Sequence, residues 1–445
     1  MSPRPAVPKG ARTAVRSKVP VTAVVALDTR GWRGGWMQGL SYGAMGLPLA
    51  FVALPLYVVL PNHYASEFGI PLATLGGLLL GARLLDALAD PWIGRLADGW
   101  FSHSAARVLA VAALAAIVLA CGFRGLFFPA VQGASALLVW CALLLAITYL
   151  SYSVLSVLHQ SWGARLGGDP EQRAHIVSWR EGLALIGVLV ASVTPSVAGL
   201  SATSLVFTLA LFGAWLLLRQ APLPRIGPIA VQANRAGPLA TPAFRRLLVV
   251  YLVNGVASAV PATLVLFFIR DRLQAQAWEP LVLASYFAAG ALSMPLWVRV
   301  VARLGLARAW LAGMALAIAT FGWAALLGAG DVAAYTCVCI ASGVALGADL
   351  TLPGALLTGV IQRAGHSQRL EGAYFGWWNF ATKLNLALAA GIALPLLGAF
   401  GYAPAGRDAS ALQALTVAYC LLPCALKLLA AALLWTLWLR QEKFE

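Results

Sequence analysis

Charge is scarce in this sequence. Asp, Glu, Lys and Arg make up only 11% of its 445 residues, whereas 61% are hydrophobic. Soluble globular domains carry about 25% charged residues, so the composition excludes a soluble protein with an ordinary surface. Twelve apolar stretches have the length needed to cross a bilayer, about 20 residues. They lie near 37–60, 71–96, 106–128, 132–160, 175–199, 202–219, 246–269, 279–303, 307–328, 332–362, 372–400 and 411–438. The sequence therefore predicts an all-α membrane protein with twelve transmembrane helices.

Acidic residues are rarer than basic ones, 16 against 31, which gives a net charge of +15. In a soluble chain this excess would indicate nucleic-acid binding, but here the basic residues mark the two sides of a membrane. Only four lie in loops after odd-numbered spans, namely Arg124, Arg270, Arg272 and Arg407. By the positive-inside rule we expect a multi-pass protein of a bacterial inner (plasma) membrane with both termini in the cytoplasm. Its basic loops would contact anionic lipid headgroups and no nucleic acid.

Two kinds of motif are missing. No glycine-rich loop ends in Lys followed by Ser or Thr, which argues against an ATP-driven pump. Cysteine and histidine do not show metal-ligand spacing, and the six cysteines lie in apolar spans as small core residues. We therefore expect neither an enzyme nor a bound cofactor. The basic segment 1–36 is expected to form a disordered cytoplasmic tail, because the apolar segment after it is too long for a signal-peptide core.

A polar, proline-rich interruption near the middle of the chain separates six spans from six. Its prolines are Pro222, Pro224, Pro228, Pro238 and Pro242. We predict an N-terminal half over 37–219, a central cytoplasmic loop over 220–245, a C-terminal half over 246–440 and a short tail over 441–445. The halves echo each other in DPWIGR at 90–95 and MPLWVR at 294–299. Since only the first copy carries acids, a cation site should belong to the N-terminal half.

A few charged residues lie inside the predicted membrane spans. In residues 83–98 (RLLDALADPWIGRLAD), Arg83, Asp86 and Asp90 fall on one stripe of a helix. Each isolated charge costs about 2.5–3.5 kcal/mol at mid-bilayer, so such a cluster indicates function. An internal ion pair without a transport role would need only one acid, and the second favours a site for a proton or Na+. Asp98, at the end of the segment, is expected to be solvated or to brace a loop.

The span-2 pattern resembles the signature of the glycoside-pentoside-hexuronide:cation symporters, the melibiose permease family. The resemblance continues through Trp162-Gly163-Ala164 to Arg180-Glu181, and through EGAYFGWWNFATK at 371–383. It covers essentially the whole hydrophobic region. It implies the major facilitator fold, in which two six-helix halves surround a midplane binding site.

The resemblance also implies roles for particular residues. Asp86 and Asp90 would bind Na+, Li+ or H+, and Ser153 would add a hydroxyl ligand from span 4. Arg180 corresponds to the family's sugar-contacting arginine, and Lys383 to a lysine near the cation and the sugar. A buried Arg can donate to hydroxyl or carboxylate oxygens, and a Lys can compete with a cation for carboxylates.

The sequence departs from the galactoside-binding members of that family. Span 1 has no acid around Tyr42, and the span-4 position that carries an acid there falls near Ser156. Position 165 is Arg where many relatives have Glu, which puts the usual cytoplasmic salt bridges in doubt. The substrate is therefore left open between another sugar, a sugar acid and a solute outside the sugars.

The sequence allows two interpretations for each of several residues. Arg180 either binds substrate or reaches the interface, and Asp349 either serves the site or pairs with a base of its own half. Trp377 and Trp378 either stack on a sugar or face lipid, and Tyr42 is equally ambiguous. His159 either relays protons or is simply hydrogen-bonded in the bundle.

The sequence as a whole predicts a secondary active transporter that couples Na+ or H+ to the symport of a sugar or sugar-like solute by alternating access. The alternatives are an exporter or a carrier of lipids or other non-sugar solutes within the same superfamily, or a non-transporting membrane receptor. We expect the monomer to be the functional unit.

Overall fold

A computed structural model describes residues 32–227, 237–402 and 408–440. Residues 1–31 of the tail predicted over 1–36, the predicted tail 441–445 and the middle of the predicted central loop, 228–236, lie outside the described residues. Within the described ranges the chain forms helices and connecting turns, and no β-strand. This confirms the predicted all-α class.

Twelve helical segments, numbered here in chain order, cross the bundle. Their bounds are α1 Trp36–Phe68, α2 Leu72–His103, α3 Ala105–Phe127, α4 Ala134–Arg165, α5 and α6 together Pro170–Leu218, α7 Pro242–Arg272, α8 Gln276–Leu304, α9 Leu306–Ala324, α10 Val332–Arg363, α11 Glu371–Ala399 and α12 Ala409–Leu439. They agree with the predicted spans, which confirms the predicted membrane helices.

Two of the twelve helical segments differ from a simple apolar membrane helix. Among the described residues, ten helices are long and apolar enough to cross a membrane, and the 49-residue Pro170–Leu218 counts as one of them. Its backbone leaves the helical region at Gly199 (φ 77°, ψ 174°), which separates α5 from α6. The 32-residue α2 has sufficient length but carries the charged cluster. The described residues therefore contain twelve crossings.

The first helix is irregular along its length. Its regular turns stop after Gly43 and resume at Gly46, and Pro55–Val59 forms a π-helical turn. π-turns inside helices are frequent at functional sites. The break after Gly43 lies beside α4, and the π-turn presents Tyr57 toward α2.

One end of the bundle is closed by helix contacts, and we call it the basic end; there α2, α4, α8 and α10 end. A Cβ placed on Gly94 of α2 would lie 2.2 Å from the carbonyl oxygen of Gly372, and one on Gly376 of α11 would lie 2.4 Å from that of Asp90. The backbones of α2 and α11 are therefore in direct contact near this end.

Two further helices approach each other near the basic end. A Cβ on Gly359 of α10 would lie 2.3 Å from Nη1 of Arg173 on α5. A Cβ placed on Gly77 or Gly81 of α2, or on Gly391 of α11, would instead have no described neighbour within 4 Å outside its own helix backbone. The close contacts of the bundle in this comparison thus lie at the basic end.

Candidate functional site

The two acids of α2 surround the ammonium group of a lysine from α11. Lys383 Nζ lies 2.7 Å from Asp86 Oδ2 and 2.8 Å from Asp90 Oδ2. Both carboxylates are buried, with Asp90 0% exposed. Asp86 and Asp90 are one helical turn apart, so both reach the same face of α11.

A hydroxyl from α4 completes this group. Lys383 Nζ donates to Ser153 Oγ at 2.7 Å, and Ser153 Oγ donates to Asp86 Oδ1 at 2.6 Å. Asp90 Oδ1 is buried and accepts no hydrogen bond from the described residues. The structure therefore brings together Asp86, Asp90, Ser153 and Lys383, all predicted from the sequence. We call them the four-residue cluster.

The chemistry of this cluster suits a small hard cation or a proton. It presents carboxylate and hydroxyl oxygens around one point, and two negative charges against one positive charge. A buried acceptor without a donor is costly, and a cation or a proton on the carboxylate would relieve that cost. No group of three or more His, Cys, Asp or Glu side chains suited to a metal ion occurs among the described residues, so the cluster offers oxygens from two acids and a hydroxyl only.

Arg83 lies apart from the four-residue cluster. Its guanidinium carbon is 3.6 Å from the ring centroid of Tyr57 on α1, its side chain is exposed, and it forms no ion pair with the two acids. The stripe shared with Asp86 and Asp90 is present, but the long side chain turns toward α1. Lys383 supplies the neutralising charge instead.

A narrow pocket lies between the cluster and the basic end. Residues from α1, α4, α5, α10 and α11 line it, among them Tyr42, Gln160, Arg180, Thr358 and Phe375. Arg180 is held by Glu181 at 2.6 Å, and its side chain is 11% exposed. Arg180 therefore lies inside the bundle, beside a pocket of only about 10 Å³, and its burial and ion pair do not match the snorkelling interpretation.

Ser156 connects this pocket with the cluster. Its hydroxyl accepts a hydrogen bond from Gln160 Nε2 at 3.0 Å and one from Asn379 Nδ2 of α11 at 3.4 Å. Ser153, Ser156 and Gln160 thus form a polar row along α4. Gln160 and Asn379 were not predicted as site residues, although each lies four residues from a predicted one, Ser156 and Lys383 respectively.

Tyr42 and His159 brace α1 against α4. Tyr42 Oη donates to the His159 carbonyl at 3.2 Å, and His159 Nε2 lies 2.7 Å from the Tyr42 carbonyl. The carbonyl of Tyr42, next to the break in α1 after Gly43, is therefore paired with the His159 ring. Of the two interpretations of His159, the geometry matches the one of a histidine hydrogen-bonded within the bundle.

The two tryptophans of α11 have different surroundings. Trp378 is buried and stacks on Tyr251 of α7, with ring centroids 3.7 Å apart and planes 21° apart. Trp377 is half-buried and meets the edge of Phe380. One face of Trp378 is therefore already covered by protein, and Trp377 keeps more accessible surface.

Asp349 belongs to a separate polar group inside the C-terminal part of the bundle. Its carboxylate lies 2.6 Å from Lys427 Nζ of α12 and accepts hydrogen bonds from Trp310 Nε1 at 3.0 Å and Asn254 Nδ2 at 3.1 Å. It matches the interpretation as a pairing partner for a base of its own half.

Asp98 joins α2, α4 and α11 at the basic end. Arg165 Nη2 lies 3.0 Å from Asp98 Oδ1 and 3.0 Å from Glu371 Oε2. Asp98 also accepts the backbone N–H groups of Gly372 at 2.7 Å and Ala373 at 2.8 Å, at the start of α11. All three charged side chains are buried. The bracing interpretation of Asp98 fits this geometry and the solvated one does not.

Arg165 therefore takes part in a salt bridge despite its departure from the family pattern. We call Asp98, Arg165 and Glu371 the closing triad. Glu371 was not predicted as a partner, because 206 positions separate it from Arg165 and no local spacing links them.

Comparison with known proteins gives a match along nearly the whole chain. The model of the family described as MFS/sugar transport protein matches residues 40–221 and 238–441. Among curated relatives, the glucuronide carrier protein homolog of Escherichia coli (strain K12) is 24% identical, over 93% of this chain and 94% of that protein. The inner membrane symporter YicJ of the same organism is 27% identical over 35% of this chain, and that match spans only 33% of YicJ.

A solved structure shares the fold. A bacterial homologue of the iron transporter ferroportin, in an outward-facing state, superposes with a TM-score of 0.67. The match covers 90% of this chain and 98% of that chain at 17% sequence identity. At this identity the likeness concerns the fold alone. Together with the family match it confirms the predicted arrangement of membrane helices.

Proposed function

The chain belongs to the MFS/sugar transport protein family, among its glycoside-pentoside-hexuronide:cation symporters, and we propose that it carries a sugar or sugar-like solute across the membrane together with Na+ or H+. It is an integral multi-pass membrane transporter of the major facilitator fold and not an enzyme. The coupling ion, the solute and the direction of transport belong to the proposal.

One observation carries the proposal: the Lys383 ammonium lies among oxygens of Asp86, Asp90 and Ser153 at 2.7–2.8 Å. Those oxygens are the ligands that Na+ prefers, and the carboxylates can also accept H+. We propose that Lys383 substitutes for the coupling cation in the empty carrier. Binding of the cation then displaces the ammonium, because both compete for the same carboxylates.

The displaced lysine would link the cation to the solute. Lys383 is 22% exposed, and Ser156 and Asn379 lie on its path toward the pocket of Tyr42, Gln160 and Arg180. An ammonium that leaves the cluster can donate to solute oxygens there. Arg180 and the less covered Trp377 would supply further donors and a ring surface, as aromatic side chains do for apolar faces.

Alternating access then requires two arrangements of the halves, which we assign to residues 37–219 and 246–440. By the positive-inside rule the basic end faces the cytoplasm. The described conformation is then closed toward the cytoplasm by the closing triad and the glycine contacts of α2 and α11. Arg83, on the outer side of the cluster, lies where an entering solute would pass.

The test is uptake into proteoliposomes across a panel of labelled glycosides, pentoses and hexuronates, with a Na+ gradient and then a H+ gradient. We expect one gradient to drive accumulation of at least one solute by the wild type, and D86N and D90N to abolish accumulation. S153A should lower the apparent cation affinity about tenfold, from the loss of one hydrogen bond to a charged group. The matched control is S151A, since Ser151 lies two residues earlier on α4, outside the cluster.

Two outcomes would contradict the proposal. Concentrative uptake by D86N and D90N at the wild-type level would remove the cluster from coupling. Absence of uptake across the panel, combined with outward flux of a solute loaded inside the vesicles, would identify an exporter instead.

A further inference from the structure

A groove of about 510 Å³ opens on the outer surface of the basic end, away from the transport pathway. Its lining combines two basic, two apolar and one hydroxyl side chain: Arg308, Arg440, Trp435, Leu439 and Thr436. Arg308 lies in the first turn of α9, and Arg440 directly follows α12. The groove is therefore at the level where two membrane helices reach the headgroup layer.

The charges of this groove are of one sign. Arg308 and Arg440 are exposed, and neither forms an ion pair with a carboxylate in the described part of the chain. Within the described residues, no acidic side chain lines the groove. Two guanidinium groups on one concave surface favour an anion, and the planar Arg group matches phosphate oxygens with paired donors.

The remaining lining is suited to a hydrocarbon chain. Trp435 is 51% exposed and lies one helical turn before Leu439, which borders the groove. Trp435–Leu439 is a π-helical turn, a local distortion that is frequent at functional sites. Trp is also enriched at the level of lipid headgroups, where one side of the ring is apolar and the other is wet. A soluble anion would make no use of this apolar wall.

We propose that this groove binds an anionic phospholipid, with the phosphate between Arg308 and Arg440 and the upper part of an acyl chain against Trp435 and Leu439. Basic pockets between membrane helices are a recognised form of lipid headgroup site. The bound lipid would join the start of α9 to the end of α12. The proposal does not depend on the solute or on the coupling ion.

Native mass spectrometry of the purified, delipidated protein tests it. Phosphatidylglycerol and phosphatidylcholine with the same acyl chains are titrated separately, and the tightest site is compared among variants. Each guanidinium is expected to contribute about fivefold, so R308Q/R440Q should bind phosphatidylglycerol roughly 25-fold more weakly. R308K/R440K keeps both charges and should stay within a few-fold of the wild type.

The chain offers a matched control in Arg107. It is exposed and is the third residue of α3, as Arg308 is the third residue of α9, but it does not line the groove. R107Q is therefore expected to bind phosphatidylglycerol as the wild type does. Cooperative thermal melting of each variant shows that it is folded. If R308Q/R440Q is not folded, the comparison of the two lipids in R308K/R440K and in the wild type still tests the proposal.

Four results would overturn the proposal. The first is equal binding of phosphatidylcholine and phosphatidylglycerol, and the second is wild-type binding by a folded R308Q/R440Q. The third is displacement of the lipid by inorganic phosphate at equal concentration, which would mark a site for a soluble anion. The fourth is binding of phosphatidylglycerol by E442Q/E445Q but not by the wild type, which would mean that the chain's own acidic C-terminus occupies the groove.

Discussion

Replacing Gly376 with alanine is expected to separate α2 from α11 at the basic end. A Cβ at this position would lie 2.4 Å from the carbonyl oxygen of Asp90 and 3.1 Å from Cα of Pro91. Both are backbone atoms, so no side chain can turn away to make room. The two helices must move apart by roughly 1 Å to restore a normal contact distance.

That movement would also loosen the closing triad. Arg165 spans 3.0 Å to Asp98 on α2 and 3.0 Å to Glu371 on α11, and an added 1 Å exceeds hydrogen-bonding distance. Overpacking of this kind costs about 1–3 kcal/mol. Because the cost falls on the closed arrangement alone, its population relative to the arrangement open at the basic end should fall about 5- to 150-fold.

Thiol labelling measures this shift. Thr358 lines the narrow pocket behind the contact and is 5% exposed, so T358C is placed in a background whose six cysteines are replaced. A membrane-impermeant maleimide added at the basic end should label T358C/G376A faster than T358C by about that factor. G81A is the matched control on α2, since a Cβ there meets nothing within 4 Å. Equal labelling rates for T358C and T358C/G376A, with equal melting temperatures, would refute the reasoning.

Three further outcomes are expected. R165Q removes the positive charge between Asp98 and Glu371, so the labelling rate of T358C should rise. R165Q/E371Q should bring that rate back toward the wild-type value, and an unchanged rate in R165Q would contradict a closing role. K383M removes the group that competes for Asp86 and Asp90, so the affinity for the coupling cation, measured by cation-dependent tryptophan fluorescence, should rise, whereas a weaker affinity would contradict competition. K427M leaves the Asp349 carboxylate buried and unpaired, which should lower the free energy of unfolding by about 3–5 kcal/mol. In a thermal melt K427M/D349L should recover most of that stability, and a wild-type melting temperature for K427M would contradict the pairing.

The membrane helices could be predicted from the sequence because a bilayer imposes both length and apolarity on each segment. The acid pair of α2 was equally visible, since three- and four-residue spacing places side chains on one face of any helix. The resemblance to a known family added Ser153 and Lys383, which lie on α4 and α11. Their meeting with Asp86 and Asp90 depends on helix packing that no local pattern encodes.

The side-chain contacts between helices could not be predicted from the sequence, because they depend on helix packing. Arg83 lies on the same helix stripe as Asp86, but the contacts of its long side chain depend on how the helices pack. The side chain contacts Tyr57 of α1. Glu371 of α11 meets Arg165 of α4 through helix packing, which no local spacing encodes. The cover on one face of Trp378 likewise comes from Tyr251, a residue of another helix.

The coupling itself is tested most directly by running it in reverse. A gradient of the solute identified by uptake is imposed on proteoliposomes without a cation gradient, and movement of labelled Na+ or of H+ is recorded. The account predicts that solute influx drives the cation inward in the wild type, and that D90N, in which one carboxylate of the cluster is neutral, exchanges solute without cation movement. Solute influx by the wild type with no accompanying cation flux would contradict it.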